Sequence, residues 1–283
     1  MKKLLLASTA LVASAGIAAA DITLTGSAAA GFYSNLDNDT EDGVYSNAGV
    51  VATMSTTTAG GVTFSTSVDV AAGEEVDTGD FENDGPADGT FSLGAVSATG
   101  AFGTLTFDSD GIDNLYDDDR NGGDVSYSTT IGAISVAAVL NTDDSSETTT
   151  STTDDMSVSA SFTTGGITIS GAASSGDAAG TGTSLKVSYA VSDTVTISAD
   201  TDNAPSEASL NTIGFATSIN GITLSADASS DDTWDLDLGY SLSGVDLTYS
   251  TTDANAWDAH ASMGLGSGAT VHAGVNHESS AYA

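Results

Sequence analysis

The sequence predicts an all-β protein, a transmembrane antiparallel up-and-down β-barrel of about 16 strands (16–18) with short turns on one rim and long acidic loops on the other. Three observations predict this class. Apolar and polar residues alternate with a period of two through most of the chain, and short glycine-rich connections take turns with long acidic ones. A targeting segment also precedes the first strand.

The charge balance is extremely acidic. The 283 residues include 39 Asp and Glu against 4 Lys and Arg, which gives a formal net charge of −35. Such a surface repels phosphate backbones, so nucleic acid is excluded as a partner. With 40% hydrophobic and only 15% charged residues the chain is expected to fold. It has no cysteine, which excludes disulfides and thiolate metal sites.

Residues 1–20 are predicted to be a cleaved secretory signal peptide. Lys2 and Lys3 are followed by an apolar stretch over 4–17 and by three alanines that fit the cleavage rule. An N-terminal membrane anchor is the alternative, but this stretch is shorter than a spanning helix, which needs about 20 residues. The barrel domain is therefore predicted to occupy 21–283, and only Arg120 and Lys186 remain as basic residues.

The strands are recognised by strict alternation. Val195, Ile197 and Ala199, for example, alternate with Thr196 and Asp200, so each strand has one apolar and one polar face. Seven aspartates fall on polar faces and are predicted to line the lumen: Asp69, Asp200, Asp227, Asp235, Asp237, Asp246 and Asp258.

The connections divide into two kinds. The short ones are at 58–61, 99–103, 129–132, 163–166, 192–193, 220–221, 243–244 and 266–268. The long acidic ones are at 36–43, 73–89, 108–123, 141–155, 174–183, 201–210, 229–232 and 252–256. Short turns on one rim and long loops on the other are typical of an up-and-down barrel.

The direction of the apolar face decides between a membrane barrel and a soluble β protein. A barrel of about 16 strands is too wide for side chains to fill, so its lumen holds water and its apolar face meets lipid. Aromatic residues near strand ends also resemble the girdles of membrane barrels. These aromatics are Phe32, Tyr45, Phe107, Trp234, Tyr240, Tyr249 and Trp257.

Two segments resemble a known family. DITLTGSAAAGF, directly after residue 20, and AFGTLTFDSDGIDNLYDD at 101–118 are similar to the general porins of Gram-negative outer membranes, in particular the Rhodobacter-type, alphaproteobacterial branch. The resemblance implies an outer-membrane homotrimer, with periplasmic short turns and extracellular long loops. Each barrel would hold a water-filled pore, constricted by a third long loop folded inward.

The third long loop, 108–123, is therefore the predicted constriction. Its charged residues are Asp108, Asp110, Asp113, Asp117, Asp118, Asp119 and Arg120. A solvated surface loop is the alternative. In the family a basic cluster faces such a loop, and this chain departs from that pattern because Lys186 alone is available on a strand. We expect a cation-selective diffusion channel for ions and small hydrophilic solutes, because the pore concentrates cations.

Other activities have weaker support. The acidic loops are candidates for loose calcium binding, with Asp108, Asp110 and Asp113 as ligands, although chance spacing explains these residues equally well. No required cofactor and no confident metal site are predicted. His260 and His272 fall on polar faces, but no specific catalytic set emerges, so an enzyme is not expected. The alternative function is a secreted acidic β-rich surface protein or adhesin with a dry core.

The C-terminal residues do not provide the expected ending. Outer-membrane barrels end in a strand with a terminal aromatic residue, whereas this chain ends in Tyr282 and Ala283. We expect that the final strand is missing from this sequence; an odd number of strands is the alternative.

Overall fold

The computed structural model describes residues 21–36, 42–79, 81–87, 92–117, 122–142, 156–175, 180–205 and 207–283. The predicted signal peptide lies outside these ranges. The strand segments are β1 Asp21–Ser34, β2 Asp42–Thr57, β3 Thr63–Asp77, β4 Glu82–Ala87, β5 Ser92–Leu93, β6 Val96–Gly100, β7 Gly103–Ile112, β8 Gly123–Ile131, β9 Ile134–Leu140, β10 Met156–Thr164, β11 Ile167–Ser175, β12 Gly182–Ser192, β13 Val195–Asn203, β14 Leu210–Ile219, β15 Ile222–Ser229, β16 Trp234–Leu242, β17 Val245–Thr252, β18 Trp257–Gly266, β19 Ala269–Asn276 and β20 Ala281–Tyr282. Among the residues described, no helix is long and apolar enough to cross a membrane.

The strands form a closed antiparallel barrel. β4, β5 and β6 all pair with β3 at successive heights, so together they form one interrupted strand of the wall. Counted in this way the barrel has 18 strands, which confirms the predicted all-β barrel class and its strand range. Each strand otherwise pairs with its neighbours in the chain, as expected for an up-and-down barrel.

The turn rim is built from tight turns whose residues suit the backbone. Asn220 and Gly221 have φ values of 53° and 81°, and Ser243 and Gly244 have 54° and 85°. Two successive positive φ angles define the type I′ turn, whose twist matches that of the flanking strands. Each glycine takes the second position of its turn without the steric cost that a Cβ would bring. We call the opposite end of the barrel the loop rim.

The two faces of the wall have opposite polarity. Large apolar side chains stay exposed on the outer face, including Leu24 at 71% and Ile213 at 67%. Only five hydrophobic side chains are buried in the described part of the chain: Leu36, Tyr45, Phe81, Val139 and Tyr282. A soluble barrel would bury its apolar face, so the alternative of a surface protein with a dry core is wrong, and lipid takes the place of a core in the predicted membrane barrel.

The barrel closes near the loop rim through a very short strand. Tyr282 pairs with Tyr33 of β1 and with Gly274 of β19, and Ala283 exchanges two backbone hydrogen bonds with Phe32. Below this point the facing edges of β1 and β19 have no strand neighbour in the described ranges. Closure therefore depends on a few residues of β20 and on the side chains around them.

Candidate functional site

The inner face of the wall is identified by contacts between strands that are not neighbours. Tyr116, which follows β7, bonds to Asp202 of β13, and His260 of β18 bonds to Tyr282 of β20. Five strands separate β7 from β13, so Tyr116 and Asp202 can meet only inside the barrel and Asp202 points inward. The register from β13 to β20 places His260 and Tyr282 on the same face. Because directly paired residues share a face, the register carries this assignment around the wall.

The seven predicted lumen aspartates all lie on this inner face. Asp200 lies two residues from Asp202 on β13, and Asp227 pairs with Asp235 across β15 and β16. Asp246 and Asp258 join the same face through Ser262 and His260, and Asp69 joins it through the register of β2 and β1. The carboxylates therefore share one surface of the sheet, opposite the exposed apolar side chains.

The segment 108–123 is only partly a loop. β7 continues to Ile112, which pairs with Gly123 after an irregularity in the register, so Asp108 and Asp110 belong to a strand. The prediction that 108–112 forms part of the loop is therefore wrong. Asp113 and Asp117 lie in the loop proper. Asp118, Asp119, Arg120 and the side chain of Asp110 lie outside the described part of the chain.

Two hydrogen bonds attach the described part of this loop to β10 and β13 of the wall. The backbone N–H of Leu115 donates to Ser157 Oγ on β10 at 2.9 Å, and the Tyr116 hydroxyl donates to Asp202 Oδ1 at 2.5 Å. The Ser157 side chain is only 1% exposed. A Cβ on Gly182 would overlap the Tyr116 ring, so the ring packs directly on the backbone of β12. The described part of the loop thus lies along the inner face of the wall between β7 and β13.

Lys186 lies on β12 among acidic and hydroxyl groups. It pairs with Asp200 on the neighbouring strand β13 and with Ser170 on the other neighbour, β11. Two cavities of the lumen share Lys186 and Asp200. One, of about 690 Å³, also contains Leu115 and Asp202, and the other, of about 480 Å³, extends to β15 and β16.

The smaller cavity is lined by converging carboxylates. Its acidic residues are Asp200, Asp227, Asp235 and Asp253. A Cβ on Gly214 would overlap both Asp227 Oδ1 and Ser198 Oγ, so the Asp227 carboxylate extends over β14 towards β13. Gly214 therefore makes the space in the wall that this carboxylate occupies.

An inner aromatic cluster lies at the closure of the barrel, and the sequence did not predict it. Leu36, Phe81 and Tyr282 are buried together, and the rings of Phe81 and His260 lie 5.1 Å apart. Nδ1 of His260 is hydrogen-bonded to the Tyr282 hydroxyl at 2.7 Å. The other ring nitrogen, Nε2, lies 3.0 Å from Asp258 Oδ1. The segment that follows β3 thus folds inward onto β18 and β20.

The outer aromatic girdle includes one wrong prediction. Tyr45 pairs with Gly31, which is in phase with the inward Tyr33, and Tyr45 is only 8% exposed. Ile22 and Leu24 of β1 point outward, so the odd-numbered residues of β1 point inward. This alternation places Tyr33 inside, together with Tyr45, the partner of Gly31. The other six predicted girdle residues are exposed or half-exposed.

No metal centre emerges from the described residues. Within them, no three His, Asp or Glu side chains are close enough to hold an ion. One of the three predicted calcium ligands, the side chain of Asp110, lies outside the described part of the chain.

Comparison with known proteins places this geometry in a family. A family model described as Gram-negative porin matches residues 7–281. Solved structures of engineered variants of the porin from Rhodopseudomonas blastica superpose with TM-scores of 0.61 and 0.60, at 13% and 14% sequence identity. Each alignment covers 93% of this chain and 99% of the other. Among curated proteins, none matches this sequence.

Proposed function

The chain belongs to the Gram-negative porin family and forms an outer-membrane diffusion channel, and from this premise we propose that its pore is cation-selective for ions and small hydrophilic solutes. A porin is a channel without enzymatic activity and needs no cofactor. The proposal therefore concerns what the pore admits.

The inner-face charge supports the proposal most strongly. At least eight aspartates share that face, the seven predicted ones and Asp202, and Lys186 is the one Lys or Arg side chain on it within the described strands. In a water-filled lumen with low-dielectric walls, such an imbalance concentrates cations and repels anions. Two of the carboxylates, Asp227 and Asp235, are direct cross-strand partners, which increases the local negative potential.

The loop at 113–122 supports a constriction. Its bonds to β10 and β13 hold Leu115 and Tyr116 against the inner wall, so a solute must pass beside it. We assign the narrow part of the pore to this loop, with Asp113, Asp117, Asp118, Asp119 and Arg120 as its charges and Lys186 on the wall. The adjacent Asp108 and Asp110 contribute from β7.

The remaining predictions concern assembly and export. We propose a homotrimer in the outer membrane, whose chains are exported by a signal peptide that is cleaved after residue 20. Loose calcium binding by the acidic loops stays a prediction. Crosslinking in mild detergent, followed by gel electrophoresis without heating, tests the trimer, and the N-terminal sequence of the mature protein tests the cleavage.

Ion selectivity is tested by the reversal potential in planar bilayers under a KCl gradient. We expect potassium to be preferred, with the preference weakening as salt rises, because the Debye length falls from about 10 Å at 0.1 M to about 3 Å at 1 M. Replacing Asp200, Asp227, Asp235 and Asp237 by Asn should reduce the preference strongly. A preference for chloride in the unmodified protein contradicts the proposal.

The matched control changes the same number of charges outside the lumen. Glu207, Asp231, Asp232 and Glu278 lie in connections at the loop rim and would be replaced by their amides. Exposed charges there are screened by salt, so at 1 M KCl this variant should be about as selective as the unmodified protein measured at the same salt. Equal losses in the two variants would place the selectivity in the net charge and not in the lumen.

A further inference from the structure

Among the described side chains, Lys186 has no ionic partner although carboxylates surround it. In the described ranges no carboxylate oxygen lies within 4.0 Å of its ammonium, even though Asp200 is its direct cross-strand partner. Its side chain is exposed to the lumen. The ammonium group is therefore available to a solute inside the channel.

The carboxylates opposite Lys186 belong to the same cavity. The lining of the cavity of about 480 Å³ runs from Lys186 on β12 past Asp227 and Asp235 to Asp253, which follows β17. This volume falls within the range of about 300–1,000 Å³ typical of small-molecule sites. Thr212, Ser229 and Thr233 add hydroxyl groups along its wall.

The spacing of the opposite charges suits a small molecule. β12 and β15 are separated by two strands, and Asp227 lies two residues from Ser229, which is in register with Lys186. At about 4.8 Å per strand interval and about 3.4 Å per residue, Lys186 and Asp227 are about 16 Å apart at the backbone. The long Lys186 side chain shortens this gap from one end. The Asp227 carboxylate shortens it from the other, because it extends over Gly214 towards β13.

We propose that this cavity is a transit site for zwitterionic amino acids, whose carboxylate pairs with Lys186 while their ammonium pairs with Asp200, Asp227 and Asp235. A uniformly negative pore gives such solutes no advantage, because their net charge is zero. The ammonium of Lys186, which faces several carboxylates within one cavity, does favour such solutes, because both ends of the solute then form charge-assisted hydrogen bonds. The inference rests on the proposed diffusion channel and defines one class of solute for it.

Single-channel recordings in KCl test the site with two isomers of the same formula, zwitterionic β-alanine and uncharged lactamide. We expect β-alanine to reduce the potassium current in a saturable way and lactamide to leave it unchanged. Lys186→Gln should raise the half-effect concentration of β-alanine about tenfold, the order of one lost charge-assisted hydrogen bond. Lys186→Arg keeps the charge and should keep most of the response.

The control separates this site from the general charge of the lumen. Asp246→Asn removes an inner-face carboxylate from β17 that lines a different cavity. It should lower potassium preference as Asp227→Asn does and leave the β-alanine response in place. Equal responses to the two isomers, or a Lys186→Gln channel that responds like the unmodified one, overturn the inference. A chloride-preferring channel instead overturns the proposed selectivity, which the reversal potential measures separately.

Discussion

The Tyr116 hydroxyl donates a hydrogen bond to Oδ1 of Asp202 at 2.5 Å, although Tyr116 follows β7 and Asp202 lies on β13. The bond joins the inward loop to a strand one third of the way round the barrel wall from β7. Hydrogen bonds to ionised groups contribute about 1.5–3 kcal/mol, so this contact is a substantial part of what holds the loop. The position of the loop should therefore be sensitive to changes at either partner.

Tyr116→Phe removes the hydroxyl and keeps the ring. We expect a loop that moves more, which gives larger and noisier single-channel currents in planar bilayers. Tyr189→Phe is the control, because Tyr189 lies on the exposed outer face of β12. If both variants record like the unmodified protein, the hydroxyl does not hold the loop.

Gly182→Ala tests the packing of the same ring. The added Cβ would overlap the Tyr116 side chain, so the ring must move away from β12. We expect altered conductance together with a lower midpoint of thermal unfolding in detergent. Gly264→Ala is matched to it, since a Cβ on Gly264 meets no atom within 4 Å, and this variant should behave like the unmodified protein. Identical behaviour of the two alanine variants would contradict the packing argument.

Tyr282→Phe tests the closure of the barrel. It removes the 2.7 Å hydrogen bond to His260 Nδ1 and leaves the ring beside Phe81 in place. The loss should be about 1 kcal/mol, the usual net contribution of one hydrogen bond, and should appear as a lower temperature of heat-induced unfolding on gels. Tyr240→Phe, on the outer face, provides the comparison. The prediction fails if the outer variant loses as much stability as Tyr282→Phe.

The loop-rim connection after β15 should show a defined pH response. Oδ1 of Asp231 accepts hydrogen bonds from the hydroxyl (2.7 Å) and the backbone N–H (3.2 Å) of Thr233. These bonds favour the charged carboxylate and lower the pKa of Asp231. Because the folded pKa is lowered, the turn is stabilised above the usual pKa of an aspartate, and this stabilisation is lost as pH falls through the lowered value.

Thr233→Val removes the hydroxyl donor and should raise the pKa of Asp231 towards its usual value. The measurement is an NMR titration of the side-chain carboxyl carbon. Thr130→Val, at the turn rim, removes a hydroxyl whose one hydrogen bond among the described residues is to Ser135, and it should leave the titration unchanged. An unchanged Asp231 titration in Thr233→Val would assign the shift to the backbone N–H alone.

The sequence predicted what depends on local periodicity. The alternation around Asp227, Asp235 and Asp258 was enough to place these residues on polar faces, because a strand turns every second side chain to the same side. The turns at Asn220 and Ser243 were equally visible, since a residue that tolerates positive φ followed by glycine is a local signal. The barrel class follows from these features together.

The sequence did not predict contacts that depend on closure of the barrel. Tyr116 meets Asp202, and Phe81 meets His260, only after the wall has curved and brought distant strands face to face. Tyr45 was assigned to the outer face because aromatic residues near strand ends are common there, whereas its phase relative to Ile22 was the better guide. The end of β7 at Ile112 was missed because its pairing with Gly123 follows an irregular register.

The outward apolar face has a consequence for how this sequence can change over generations. A side chain such as Leu24 or Ile213 touches fluid hydrocarbon and not a fixed partner, so exchanging it for another aliphatic residue changes the transfer free energy but opens no cavity. The inward residues are bound to particular partners, as Tyr116 is to Asp202. Evolutionary drift should therefore be fast and nearly neutral on the lipid side, and slow and correlated between partners on the water side.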